Sequence, residues 1–270
     1  MDWLTITSER WAQTVEDCAG LCLLPMGCIE RHGPHLAVGC DQLTVDAVAR
    51  LAAEVEPAIV FPSYFFGKIW TARHYAGTFA LGRNLLLDLL EATLDEIARN
   101  GLKKVLIVNG HGGNTAMLHF FLRSLLAEPR DYVAYATNSY EMDEATRQEW
   151  AGMVEAPGGE HADEGETSWF MHLRPDLVHM EDLSDPEDGR DRQTQKGLEG
   201  LANPAGWLGR FPTHYSGDAR AATPEKGEFL VRAQVERLVR QMRAVKADDV
   251  TAGLLETFYR QSAGPQRGRQ

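Results

Sequence analysis

Apolar positions along the chain fall into two kinds of segment that alternate. Residues 21–25, 58–61 and 105–108 are short apolar runs, the last within a strand reading over 103–108, and 131–137 is a strand-like stretch. Runs of this length, closed by Gly, Pro or Asn, predict buried strands. Between them the spacing changes. Leu43, Ala47, Leu51 and Val55 share one helical face across 42–55. Leu86, Leu90, Leu94 and Ile97 do so across 84–98, with Gly101 just past the end. Residues 115–126, 166–172 and 224–245 read as further helices, with Asp41 at the expected N-cap of the first helix and Pro224 in the first turn of the last. Short strands alternating with amphipathic helices predict an α/β fold, a central, mostly parallel sheet flanked by helices on both faces. Ligands of such sheets gather beyond the C-terminal strand ends. Residues 174–222 are long, irregular and rich in Gly, Pro and Asp, a length that in a compact domain marks function or assembly.

Composition narrows the class. The chain has 270 residues and shows no repeat or linker, which predicts a single domain over 1–261 and a flexible, locally basic tail over 262–270. Lys and Arg number 27 against 39 Asp and Glu, a net charge of −12, so nucleic acid and anionic membranes are poor partners. No apolar run approaches ~18 residues, and the start has neither a basic nor an apolar leader, which predicts no membrane span and a cytoplasmic protein. Cys18, Cys22, Cys28 and Cys40 fit no zinc or redox spacing; they are expected as small buried hydrophobes, with Cys28 and Cys40 beside candidate metal ligands.

Chemistry concentrates in three clusters. Glu30 and His32, separated by one residue after the first strand, can point to one side, and Asp41 follows within a short loop. His111 stands in Asn109-Gly110-His111-Gly112-Gly113-Asn114, directly after a buried strand. This loop lacks the lysine and the spacing of a nucleotide cradle. Glu160, His161 and Glu166 lie in a glycine-rich acidic segment at a helix start. Each cluster alone also reads as ordinary structure: a cap and strand end, a turn, an acidic loop. Together they offer more imidazoles and carboxylates than one ion needs. They suit two divalent ions roughly 3.5–4 Å apart, with a bridging water activated toward neutral pKa and a histidine left to move protons.

These motifs, from Glu30-Arg31-His32-Gly33-Pro34-His35 through His74-Tyr75-Ala76-Gly77-Thr78 to Ala222-Thr223-Pro224-Glu225-Lys226-Gly227, resemble the creatininase (creatinine amidohydrolase) family, in family order from about residue 20 to 230. The resemblance implies a central mostly parallel sheet, a two-metal centre and a homo-oligomer, commonly a hexamer. It assigns Glu30 and His111 to one ion and His32 to the other, with Asp41 bridging. His161 matches the catalytic histidine and Glu160 its acidic neighbour. Creatininase itself has a glutamate at the position of Gly113, so Glu166 is expected to complete the second ion's ligands. Gly112 and Pro157 replace aromatics that hold creatinine, which points to a different substrate. His74, Gly112 and Gly113 are expected at the substrate pocket, His35 is expected to shape its loop, and Trp70, Trp169 and Trp207 are pocket or core tryptophans. His214 carries no convergent signal beyond lying in a loop that could reach a neighbouring site. The implied activity is metal-dependent hydrolysis of a small, cyclic amide. A metal-activated hydroxide attacks the carbonyl and His161 donates the proton. Ring opening of a cyclic keto-polyol, deformylation and peptide trimming are family alternatives, and a non-catalytic metal or metabolite binder is the alternative from another class. Zinc, manganese and iron suit the ligand set equally.

Overall fold

The computed structural model describes residues 1–183, 196–198 and 200–264. The sheet has four parallel strands, β1 (Leu21–Met26), β2 (Ile59–Val60), β3 (Lys104–Asn109) and β4 (Val133–Asn138), in the order β2-β1-β3-β4. Cys22 pairs with Val105 and Met26 with Asn109, while Asn109 also pairs with Asn138, so three strands end level with one another.

Alternation along β1 and β3 sends side chains to both faces. Cys22, Leu24, Met26, Val105 and Ile107 pack on one side against Leu90, Leu94 and Ile97 of α3 (Arg83–Arg99) and Leu118 and Phe121 of α4 (Thr115–Ser124). Leu21, Leu23, Leu106 and Val108 pack on the other against α2 (Cys40–Val55) and α8 (Pro224–Ala247). Both faces are therefore covered, and the hydrophobic runs of β1 and β3 follow from that double burial.

α6 (Glu164–Leu173) lies against α8. Gly227 permits this approach: a Cβ there would stand 2.0 Å from the Ser168 carbonyl oxygen. Asp163 caps α6, its Oδ1 accepting from the Glu166 N–H at 2.9 Å.

Several expectations change in detail. Asp41 is not the N-cap of α2; Gly39 is, which puts Asp41 in the first turn and frees its carboxylate to face inward. Three helices are additional: α1 (Ser8–Asp17), α5 (Glu144–Ala151) and α9 (Val250–Ser262). The irregular stretch 174–222 holds short turns and α7 (Gly206–Arg210), while its residues 184–195 and 199 lie outside the described residues, as does 265–270 of the expected tail. No helix among the described residues is long and apolar enough to cross a membrane.

Candidate metal centre and active site

The level ends of β1 and β3 bring the three clusters together. Glu30 follows β1 and is tied by its N–H to the Val38 carbonyl at 2.9 Å. Asn109 ends β3. Its Oδ1 accepts from the His111 N–H at 3.1 Å and its Nδ2 donates to the His111 carbonyl at 2.9 Å, which fixes the histidine's backbone. Asn114 donates to Asn109 Oδ1 at 3.1 Å and accepts from the Lys68 N–H at 2.7 Å, so the same loop also anchors the segment after β2.

Glu30, His32, Asp41, His111 and His161 are all buried, and Glu166 is half-buried. Asp41 stands between two histidines: its Oδ2 is 2.8 Å from His111 Nδ1 and its Oδ1 is 3.0 Å from His32 Nε2. Glu30 Oε1 is 3.0 Å from His111 Nδ1. Glu166 Oε2 is 3.9 Å from His32 Nε2 and 3.7 Å from His161 Nδ1. Two groups of donor atoms, Glu30–Asp41–His111 with Cys28 and His32–Asp41–Glu166, each lie within 4.8 Å of one another and share Asp41. Cys28 points its thiol at Asp41 Oδ2, 3.2 Å away. The four cysteines are free and buried.

Electrostatics explain how so much charge stays buried. Burial opposes ionisation of Glu30 and Asp41, but the neighbouring imidazoles, chiefly His111 for Glu30 and His32 for Asp41, hold both carboxyls below their ordinary range. Burial likewise opposes charge on His32, yet Asp41, Glu166 and Glu30 push it up to about 10, and Glu30 and Asp41 hold His111 well above its usual value. Glu166 is pushed up to about 8, first by burial. His161 is lowered to about 4 by burial and by His32. It is therefore neutral at pH 7. Its Nε2 is 2.8 Å from the Arg31 carbonyl and must carry the hydrogen, since that oxygen only accepts. Its Nδ1 lone pair faces Glu166.

The residues fit divalent metal ions. Glu30 Oε1 is buried and makes no hydrogen bond of good geometry, its near neighbour being His111 Nδ1 at 3.0 Å, an arrangement that a cation held by both would satisfy. The donors are a mixed nitrogen and oxygen set suited to zinc, manganese or iron.

A cavity of about 400 Å³ opens over this group, lined by Glu30, Asp41, His111, His161 and Glu166 and walled by Lys68, Tyr140 and Trp207. Gly112, Gly113 and Glu160 also line it. Glu160 meets Arg210 at 3.2 Å, while both ring nitrogens of His161 are directed elsewhere. A Cβ at Gly113 would stand 2.3 Å from His111 Nε2, so this loop has no room for a side chain with His111 as placed. His74 is not on the cavity wall: it is exposed and stacks on Tyr75, ring centroids 4.1 Å apart, because the turn after Trp70 sends it to solvent. His35 is buried with Nε2 2.8 Å from Thr167 Oγ1, tying its loop to α6. Trp70 is exposed, Trp169 packs in the core and Trp207 lines the cavity.

His214 is the residue that sequence reasoning passed over. It is buried, with φ of 58°. Trp207 Nε1 donates to its Nδ1 at 2.8 Å. Nε2 therefore carries the hydrogen and donates to Glu30 Oε2 at 2.7 Å. The only advance sign was its place in a loop long enough to reach the site.

The sequence model of the creatininase family, described as creatinine amidohydrolase, matches residues 5–242. The chain belongs to the creatininase family. Among curated relatives, a mycofactocin precursor peptide peptidase of Mycobacterium ulcerans is 30% identical over 171 residues, 60% of this chain and 62% of that protein. A 3-dehydro-scyllo-inosose hydrolase of Thermotoga maritima is 25% identical over 260 residues, 89% and 82%. A creatinine amidohydrolase of Pseudomonas putida is 29% identical over 187 residues, 62% and 70%. Among solved structures, a creatininase with manganese superposes with a TM-score of 0.72 at 26% identity, covering 92% of this chain and 99% of that one. A mutant creatininase of the Zn–Zn type gives 0.72 at 25%, covering 92% and 98%. The protein is thus a creatininase-family hydrolase with the α/β fold of that family.

Proposed function

We propose that this creatininase-family hydrolase cleaves the C–N bond of a small, cyclic amide at a centre of two divalent ions. Glu30 and His111 would hold one ion, His32 and Glu166 the other, and Asp41 both. The observation that carries this reading is the division of the Asp41 carboxylate, one oxygen toward His111 and the other toward His32. Bound there, divalent ions supply Lewis acidity and lower the pKa of a water at the site.

The chain's own residues do the rest. The strand ends and the Asn109 brackets hold the carboxylates and imidazoles in place before substrate arrives, so little reorganisation is needed. His161 is neutral, anchored at Nε2 and open at Nδ1, which suits it to take a proton and pass it to the leaving nitrogen. Glu160, on the same wall, is its proposed acidic neighbour. Trp207, Tyr140, Gly112 and Gly113 line the cavity.

Ring opening of a cyclic keto-polyol is the second reading, favoured by the 89% span of the match to the Thermotoga protein. A panel of cyclic amides, lactones and cyclic keto-polyols, assayed after chelation and reloading with zinc, manganese or iron(II), separates the two. Turnover of the amides that disappears on chelation and returns with metal supports the leading reading; turnover of the polyols alone replaces it.

A further inference from the structure

The cavity wall carries a cation with no carboxylate to answer it. Lys68 lines the cavity beside the candidate metal ligands. Its main chain is fixed: the N–H donates to Asn114 Oδ1 at 2.7 Å, the carbonyl lies 3.2 Å from His111 Nε2, and the next residue, Ile69, is buried. Among the described residues Lys103, Lys226 and Lys246 each meet a carboxylate and Lys104 a carbonyl, while Lys196 is an exposed loop residue away from the cavity lining. The Lys68 ammonium forms no ion pair or hydrogen bond among the described residues; the nearest recorded group is the exposed Trp70 ring, 5.9 Å from Nζ to the centroid. In a chain of net charge −12, a cation left unpaired beside four cavity carboxylates calls for an explanation. Thr71, three residues on, lines the same cavity.

We infer that Lys68, with Thr71, forms a carboxylate subsite, so that the substrate is an anion: an amide with a carboxylate a few bonds from the bond that breaks. The backbone of Lys68 lies against His111. A carboxylate met there would lie on the His111 side of the cavity. An ammonium in a partly desolvated cleft gives a charge-assisted hydrogen bond to a carboxylate, stronger than a neutral contact. This inference rests on the reading of the cavity as a hydrolase site.

Matched pairs test it: 2-pyrrolidone against pyroglutamate, and hydantoin against hydantoin-5-acetate, with the metal-loaded wild type, Lys68→Gln and Lys68→Arg. The expected result is a KM about tenfold or more lower for each carboxylate member in the wild type, an advantage lost in Lys68→Gln through KM and largely kept in Lys68→Arg. Equal KM values within each pair, or a Lys68→Gln that weakens neutral and anionic members alike, would overturn it. If no amide is turned over, the amide reading itself falls. Calorimetry of hydantoin-5-acetate against hydantoin then decides the subsite: a preference for the anion that depends on Lys68 sustains it, and none removes it.

Discussion

Asp41, His161 and His214 each owe their place to something local. Asp41 faces the site because α2 begins at Cys40, two residues earlier than a cap reading of Asp41 allows. His161 is held by the Arg31 carbonyl, which sets its tautomer. Replacing it with alanine should leave metal content and fold unchanged and lower turnover by about 10² to 10⁴-fold; elemental analysis and initial rates check both halves. His214 holds Glu30 through a tautomer that Trp207 selects. His214→Ala should weaken metal binding by about 10- to 100-fold, read by competition with a chelator, and undiminished affinity would make its contact with Glu30 incidental. The raised imidazoles give a pH signature. His32 is pushed up to about 10 and His111 is shifted the same way by Glu30 and Asp41; a ligating imidazole must be neutral, so metal uptake releases protons and affinity falls as pH falls. Calorimetry in buffers of different ionisation enthalpy should show that release at pH 7.

The segment that carries His161 is held by a buried ion pair. Lys226, in the first turn of α8, donates to Glu164 Oε1 at 2.6 Å, and Glu164 Oε2 accepts from the Glu155 and Ala156 N–H groups at 2.9 and 2.7 Å. Lys226→Met leaves the Glu164 carboxylate buried without its cation and should cost about 3 kcal/mol or more, measured by denaturant unfolding. The elements differ in how legible they were. β1, β3, α3 and α8 declared themselves because each buries a stripe or a run, and burial is what periodicity records. α5 buries no residue and carries no apolar stripe; α9 repeats Val250, Leu254 and Phe258 every four residues, but these side chains are exposed, and α1 has only Trp11 and Val15 partly packed on the core. β2 is two residues long and ends in Pro62 two positions on, shorter than its apolar run.

The whole molecule makes one site from residues 30 to 214. Parallel strands deliver the first two clusters to the same edge, and the covering pair α6 and α8 brings the third over them. The motifs around Glu30, Asp41, His111 and Glu166 were readable because their chemistry is crowded into a few positions. The pocket wall was not. Trp207, His214 and Tyr140 come from irregular or distant chain whose path no spacing encodes, and His74 was expected there although its turn faces solvent. The substrate depends on that wall, so it was the least legible part. Crystals grown with manganese and measured near its absorption edge bear on the two-ion centre itself. Two anomalous peaks flanking Asp41, one beside Glu30 and His111 and one beside His32 and Glu166, are the expected result. A single peak, or none among these side chains, would contradict the account.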